Sequence, residues 1–148
     1  MDILEETRYI MKKYNIRANK SLGQNFLINN EVVENIVNSS DISKEDMVIE
    51  IGPGLGNLTE YLLERAKYVL LVEIDPKMIE VLQDRFKQNT NYTLINEDIL
   101  KVNIDEKVKQ IENDNNIKQL FENKNLQKDE WKIVKVNTFS DDMVKLVI

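Results

Sequence analysis

The sequence predicts an α/β fold in which a parallel sheet carries helices on its faces. After residue 46 the chain alternates between short, apolar, β-branched stretches and longer amphipathic ones, which is typical of strand–helix–strand units. A glycine-rich turn, EIGPGLG at residues 50–56, follows the first apolar stretch. Because ligands bind at the carboxyl ends of the strands in such sheets, this turn marks the predicted binding edge.

Length and composition are those of one ordinary globular domain. The 148 residues include no cysteine and no histidine, and the formal net charge at pH 7 is −6. Disulfides, thiolate chemistry and histidine-based sites are therefore not expected, and we predict no bound metal. The first residues, MDILEETRYIMKK, lack the apolar core of a signal peptide, and no run approaches the roughly 20 apolar residues of a membrane span. We expect a cytoplasmic protein with no membrane partner.

The N-terminal segment, residues 1–30, is predicted to be a helix followed by an ordered loop. Apolar residues at helical spacing predict the helix over residues 2–14, with Asp2 as its N-cap. Four basic side chains are candidates for contacts with phosphate: Lys12, Lys13, Arg17 and Lys20. A short basic segment on an acidic body is more often a solvated surface, so both interpretations stay open.

Residues 31–136 carry the predicted sheet and its helices. Helices are predicted over residues 31–39, 57–66 and 76–87. Strands are predicted over residues 47–51, 68–74, 92–96 and 131–136. The third helix has Asp75 as N-cap and Pro76 in its first turn, with Ile79, Leu82 and Phe86 facing inwards. Residues 103–130 are predicted to be a polar insertion, and residues 137–148 form an atypical tail without a clear assignment.

The spacing of the glycines argues against a phosphate-binding loop. Gly52, Gly54 and Gly56 alternate, whereas a dinucleotide fingerprint needs glycine at position 57, where this chain has Asn57. Glu50, at the end of the predicted strand, would repel a pyrophosphate and attract a cation. S-adenosylmethionine (SAM) has cationic centres and no phosphate, so it fits this combination. The alternative is a structural turn beside an incidental acid.

Two further acids lie at the ends of the next two predicted strands. Glu73, in VLLVEID, can accept hydrogen bonds from both hydroxyls of a ribose. Asp98, in INEDIL, can accept a hydrogen bond from an adenine amino group. Each acid alone could be an ordinary strand-end side chain. Three acids at three successive strand ends predict one binding site for SAM.

Four motifs together resemble the ribosomal RNA adenine dimethyltransferases. They are SLGQNFLIN at residues 21–29, EIGPGLGNLTEYLLERA at 50–66, VEIDP at 72–76 and NEDIL at 96–100. The resemblance is to the bacterial 16S rRNA adenine N6,N6-dimethyltransferase branch (KsgA/RsmA), and it covers residues 9–102. It implies a Rossmann-like class I methyltransferase fold, incomplete in this chain, with about four parallel strands.

The resemblance also implies an activity and a set of contacts. The activity is SAM-dependent methylation of adenine N6 in 16S ribosomal RNA, with the small ribosomal subunit as partner. The implied SAM contacts are Gln24, Asn25, Leu27, Glu50, Gly52, Gly54, Glu73 and Asp98. The basic N-terminal side chains would lie near the RNA, where phosphate contacts position a substrate without reading its sequence.

The chain departs from this family after the fourth predicted strand. The family has an Asn-Leu-Pro-Tyr motif there, which supplies an acceptor for the target amine and a ring that stacks on the flipped adenine. Here WKIVKV is followed by NTFS at residues 137–140, so Asn137 is a catalytic candidate that lacks the loop-fixing proline. The alternative function is a catalytically inactive module that binds SAM or the ribosome. A dinucleotide-binding fragment is a third hypothesis, disfavoured by Glu50 and Asn57.

A sheet that stops after four strands leaves one edge with unpaired backbone groups. From this edge we predict self-association of the chain, or a fold that depends on a partner. A monodisperse monomer in light scattering would contradict this prediction.

Overall fold

The computed structural model describes residues 2–17, 29–114, 131–140 and 143–147, with side chains as far as residue 133. Four predicted site residues lie outside the described residues: Lys20, Gln24, Asn25 and Leu27.

The described residues form one sheet with helices around it. The helices are α1 (Ile3–Lys13), α2 (Asn30–Ser39), α3 (Asn57–Arg65), α4 (Pro76–Arg85) and α5 (Ile104–Asn113). The strands are β1 (Met47–Ile51), β2 (Tyr68–Glu73), β3 (Tyr92–Asn96), β4 (Lys132–Ser140) and β5 (Met143–Val147). Their order in the sheet is β3-β2-β1-β4-β5. The first four strands are parallel and β5 is antiparallel to β4, which confirms the predicted α/β fold with about four parallel strands.

Side-chain caps fix the starts of the helices as their sequences predict. The Asp2 carboxylate accepts a hydrogen bond from the Glu5 N–H of α1, and Asp75 accepts one from the Lys77 N–H of α4. Pro76 lies in the first turn of α4, where a backbone N–H has no partner within the helix. In the part of the chain that is described, no helix combines the length and the apolar character needed to cross a membrane.

Helices cover both faces of the sheet, so β2 is buried along its whole length. On one face Val69 and Leu71 pack with apolar side chains of α2, α3 and α4. On the other face Leu70 and Val72 pack with Ile111 of α5. Burial on both faces explains why β2 is a nearly continuous apolar run rather than an alternating one.

The apolar face of α4 differs slightly from its prediction. Leu82 and Phe86 are buried as expected, but Ile79 is only half-buried. Met78 and Val81 take inward positions instead, because α1 packs against this side of α4. The helix therefore has a wider buried face than the sequence pattern indicates.

The C-terminal residues form strands where the sequence leaves a tail unassigned. β4 continues to Ser140, beyond the predicted end at residue 136, and β5 returns beside it with Asn137 opposite Lys145. Alternating β-branched and apolar residues at these positions favour extended backbone. The edge of β4 on which the predicted self-association depends is therefore paired, and the edge strands of the described sheet are β3 and β5. Self-association stays a prediction, and it would now use one of these two strands.

An ion pair holds the start of β4 against the turn before β1. The Lys132 ammonium donates to the Asp46 carboxylate at 3.0 Å and to the backbone carbonyl of Asp41 at 2.9 Å. Burial of Asp46 opposes its ionisation, but the hydrogen bond from the Ser43 N–H and the pairing with Lys132 outweigh this effect. The pKa of Asp46 is therefore below its ordinary value of 3.8.

Asp46→Asn should lower the free energy of unfolding at neutral pH by about 1 kcal/mol, because Lys132 loses its charged partner. Since the folded pKa is lowered, this contribution is present above 3.8 and is lost as the pH falls through the folded value. Urea unfolding at about pH 7 and about pH 3 should show the difference shrinking at the lower pH. Asp41→Asn is the control, because Lys132 contacts only the backbone of Asp41. An equal difference at both pH values would contradict the ion-pair account.

Candidate functional site

The glycine loop, defined here as residues 52–56, leaves β1 at the carboxyl edge of the sheet. Gly52, Gly54 and Gly56 have φ angles of +70°, +59° and +90°, which side-chain-bearing residues rarely adopt. The Gly52 N–H donates to the Val72 carbonyl at 2.9 Å, so the loop begins as a continuation of the β1–β2 pairing. The alternating glycines are thus required by the backbone itself.

Two of these glycines have different surroundings. A Cβ atom on Gly56 would lie 2.6 Å from Cε2 of Phe86, so this glycine allows the loop to pack directly on α4. Among the described residues, a Cβ atom on Gly52 would meet nothing within 4 Å. In this part of the chain Gly52 therefore borders open space at the carboxyl edge, where a ligand can approach the backbone closely.

Glu73, at the end of β2, joins the glycine loop to the start of α4. Its Oε1 accepts a hydrogen bond from the Gly54 N–H at 2.9 Å, and its Oε2 accepts one from the Asp75 N–H at 3.0 Å. Burial raises the pKa of Glu73, although these backbone hydrogen bonds act in the opposite direction. Each carboxylate oxygen has a second lone pair, so Glu73 can accept from a ligand while it holds the loop.

Asp98 follows β3 and closes the turn that leads towards α5. Its Oδ1 accepts from the Leu100 N–H at 2.9 Å. Nearby, the Asn96 side-chain amide donates to the carbonyls of Glu73 and Ile74 at 2.9 and 3.0 Å, which fixes the end of β3 to the end of β2. Glu73 and Asn96 are also partners in the strand register. The two strand ends that carry Glu73 and Asp98 are therefore held side by side, as predicted.

Two apolar side chains next to these acids are exposed. Ile74, directly after Glu73, is 45% exposed, and Leu100, close to Asp98, is 88% exposed. Apolar surface beside hydrogen-bond acceptors suits a flat heterocycle that also carries hydroxyl or amino groups. The acids in the sequence do not indicate that Ile74 and Leu100 are exposed, because apolar residues at strand ends are usually buried.

Glu50 lies beneath the glycine loop instead of at its open surface. The residue is only 2% exposed, and its Oε2 accepts from the Thr59 hydroxyl of α3 at 2.7 Å. Burial raises the pKa of Glu50 to about 8, and the neighbouring Glu73 adds to this, while the Thr59 hydrogen bond opposes it. The structure therefore encloses Glu50 instead of presenting its carboxyl group at the open surface. Its contact with a cofactor stays a prediction.

The basic side chains of the N-terminal segment that are described, Lys12, Lys13 and Arg17, are exposed. Lys13 pairs with Asp84 of α4 at 3.5 Å, and the Tyr14 hydroxyl also donates to this carboxylate. The structure thus gives Lys13 a structural partner and leaves Lys12 and Arg17 on the surface near α1.

Comparison with known proteins gives a consistent result. The family described as "Ribosomal RNA adenine dimethylase" matches residues 15–136. The chain is similar to "Ribosomal RNA small subunit methyltransferase A" of Clostridium botulinum (strain Okra / Type B1), with 53% identity over 100 residues, 68% of this chain and 36% of the relative. The protein of the same name from Staphylococcus aureus (strain JH9) is 52% identical over 103 residues, 70% of this chain and 35% of the relative.

A solved structure agrees with the sequence comparisons. A dimethyladenosine transferase from Plasmodium falciparum superposes with a TM-score of 0.51 at 33% identity, over 53% of this chain and 30% of that chain. The chain spans about a third of the length of the curated relatives it matches.

Glu50→Gln should flatten the pH dependence of stability. The folded pKa of about 8 exceeds the ordinary 4.5, so the contribution of Glu50 is fully present below 4.5 and is lost as the pH rises towards 8. The slope cannot exceed about 1.4 kcal/mol per pH unit for one group. Urea unfolding across this range measures it, and the exposed Glu64→Gln is the control. The raised pKa of Glu73 gives the same pH dependence of stability to all three proteins and cancels in the comparison. Equal slopes of stability against pH for the unaltered chain and Glu50→Gln would therefore contradict the raised pKa that burial gives Glu50.

Gly56→Ala should destabilise the fold more than Gly52→Ala does. Both substitutions strain a positive φ, at a cost of roughly 1–2 kcal/mol each. Only the Gly56 methyl group also collides with Phe86, which adds about 1–3 kcal/mol of overpacking. Chemical unfolding of the two variants compares them directly. Equal losses of stability would mean that α4 does not pack against the loop at Gly56.

Proposed function

The chain belongs to the ribosomal RNA adenine dimethylase family, and on that premise we propose that it uses SAM to methylate N6 of adenine in small-subunit ribosomal RNA. The proposal rests on one observation, which is that three features lie at the same edge of the sheet. They are the open side of the glycine loop at Gly52, the Glu73 carboxylate and the Asp98 carboxylate. The names of the relatives support the choice of substrate.

The residues of this edge fit SAM. A loop whose Gly52 borders open space among the described residues admits a ligand to the backbone, and neither the buried Glu73 nor Asp98 at this edge suits a phosphate group. Glu73 keeps lone pairs for ribose hydroxyls, and Asp98 can accept from an adenine amino group. Ile74 and Leu100 add apolar surface for the adenine ring. When bound, SAM supplies a methyl group on a sulfonium, which is already activated for transfer to an amine.

The chain's own contribution is to bind and orient. Glu73 and Asn96 fix the ends of β2 and β3, so the acceptors at this edge have a set spacing before any ligand arrives. Preorganised positioning of this kind can supply much of the rate enhancement of a two-substrate reaction. Asn137 remains the catalytic candidate for accepting a hydrogen bond from the target amine, although it lies within β4 and not in a loop after the strand.

We further propose that the RNA is contacted through the basic N-terminal side chains. Lys12 and Arg17 are exposed and available for phosphate, and Lys13 and Lys20 are included by their place in the sequence. Such contacts orient the RNA on the site without reading its bases. We also propose a cytoplasmic location, which suits a ribosomal substrate.

A second candidate function is a module that binds SAM without transferring its methyl group. The observation in its favour is the NTFS sequence at residues 137–140, which continues β4 where the family has Asn-Leu-Pro-Tyr. Both functions need the same cofactor site. Only a measurement of methyl transfer can distinguish the two functions.

Calorimetric titration of the full chain with SAM tests the proposal first. We expect binding, with thermal unfolding stabilised by roughly 2.7 kcal/mol at about 100 times the dissociation constant. Glu73→Gln should weaken binding by roughly tenfold or more, because an amide nitrogen cannot accept a hydrogen bond from a ribose hydroxyl. Glu64→Gln, on the exposed face of α3, is the matched control and should bind like the unaltered chain. NAD should not bind.

Transfer of a radiolabelled methyl group from SAM to unmethylated small ribosomal subunits then separates the two functions. Label in adenine supports the enzyme, and binding without label supports the inactive module. A folded chain that fails to bind SAM would contradict both proposed functions.

A further inference from the structure

The guanidinium of Arg85, at the end of α4, contacts three different parts of the chain around the glycine loop. We propose that Arg85 is a positioning residue for the glycine loop. Arg85 fixes the backbone at residues 55–57, and this backbone in turn fixes the position of the glycines that face the ligand. This inference rests on the proposed function, since it assigns Arg85 to the same cofactor site.

The contacts of Arg85 use both terminal nitrogens of its guanidinium group. Nη1 donates to the Leu55 carbonyl at 2.8 Å and to the Asn57 side-chain oxygen at 3.0 Å. Nη2 donates to the Glu60 carboxylate of α3 at 3.1 Å and reaches the Glu6 carboxylate of α1 at 3.0 Å. The two terminal nitrogens thus make three hydrogen bonds and one further ion pair.

The network is partly withdrawn from solvent. The Arg85 side chain is 12% exposed, whereas Glu6 and Glu60 are 31% and 54% exposed. The two carboxylates are thus more exposed than the guanidinium group, whereas Leu55 and Asn57 are buried. We therefore assign the importance of Arg85 to Leu55 and Asn57 and not to the ion pairs, which contribute little where solvent screens them.

Other contacts also hold Leu55, Gly56 and Asn57 in place. Leu55 is 1% exposed in a cluster with side chains of α1 and α4. Gly56 lies against Phe86, the residue after Arg85. Asn57 donates through its side-chain nitrogen to the Thr7 hydroxyl of α1 at 2.8 Å while its oxygen accepts from Arg85.

This arrangement links Arg85 to the open side of the loop. The carbonyl held by Arg85 belongs to the Leu55–Gly56 peptide, and the Gly54 N–H held by Glu73 is separated from it by one peptide unit. Without its donor, the Leu55 carbonyl would have to turn to find another, because a buried unpaired carbonyl is costly. Rotation of that peptide would pull Gly54 away from Glu73 and change the surface offered to the ligand.

Lysine cannot replace this function of arginine. Its single ammonium has no planar fork that could reach the Leu55 carbonyl, Asn57 and two carboxylates together. Arg85→Lys should therefore retain the attraction to Glu6 and Glu60 but lose the geometry at the loop. This separates a positioning role from a purely electrostatic one.

The test compares Arg85→Met, Arg85→Lys and the unaltered full chain, with Arg65→Met as the matched control. Arg65 lies on α3, donates to Asn38 and contacts no loop residue in the described part of the chain. The readouts are the amide NMR shifts of Gly52, Gly54 and Gly56 without ligand, the affinity for S-adenosylhomocysteine, and thermal unfolding. Both Arg85 variants should shift the Gly54 and Gly56 amides and weaken binding by roughly tenfold or more. Arg65→Met should change neither.

The outcomes distinguish this inference from the proposed function. If the unaltered chain binds S-adenosylhomocysteine and a folded Arg85 variant binds within about twofold of it, with unmoved glycine amides, the inference is overturned. If the unaltered chain does not bind S-adenosylhomocysteine, the proposed function is contradicted. In that case the NMR shifts of the glycine amides alone decide whether Arg85 positions the loop. Should Arg85→Met not fold, Arg85→Lys decides the question by the same two readouts.

Discussion

The carboxylate of Glu73 is the contact on which the rest of the site depends. It accepts from the Gly54 N–H with one oxygen and from the Asp75 N–H with the other, so it joins the turn after β1 to the turn after β2. Hydrogen bonds to a charged acceptor are worth about 1.5–3 kcal/mol each, and a buried carboxylate without them would be strongly disfavoured. The glycine loop, the N-cap of α4 and the rim of the binding edge are therefore set together by one side chain.

The glycine loop has two sides with different tasks. Its outer side, Leu55 and Gly56, packs against α1 and α4, and Arg85 donates to the Leu55 carbonyl and to Asn57 at the start of α3. Its open side begins at Gly52, at the edge of the sheet where β2 and β3 also end. Beneath the loop, the buried Glu50 accepts a hydrogen bond from the Thr59 hydroxyl, which ties the end of β1 to α3. Rigid support on one side thus leaves the other free for a ligand.

Local patterns predicted the parts of the structure that local chemistry determines. The alternating glycines, the Asp75 cap and the strand-end positions of Glu73 and Asp98 each depend on a few neighbouring residues, and the structure places them as expected. The features that were missed depend on which distant elements meet. Glu50 is buried because α3 covers it, Arg85 reaches the loop because α4 ends beside it, and β4 extends because β5 pairs with it. None of these contacts leaves a spacing signal in a single sequence.

A crystal structure of the full chain with S-adenosylhomocysteine tests the central claim most directly, namely that the ends of β1, β2 and β3 form the cofactor site. The account predicts ligand density over Gly52, with the ribose hydroxyls on the Glu73 carboxylate and the adenine near Asp98, between Ile74 and Leu100. Ligand density at another place on the chain, or a loop that retains its ligand-free contacts with no density beside it at saturating ligand, would contradict the account.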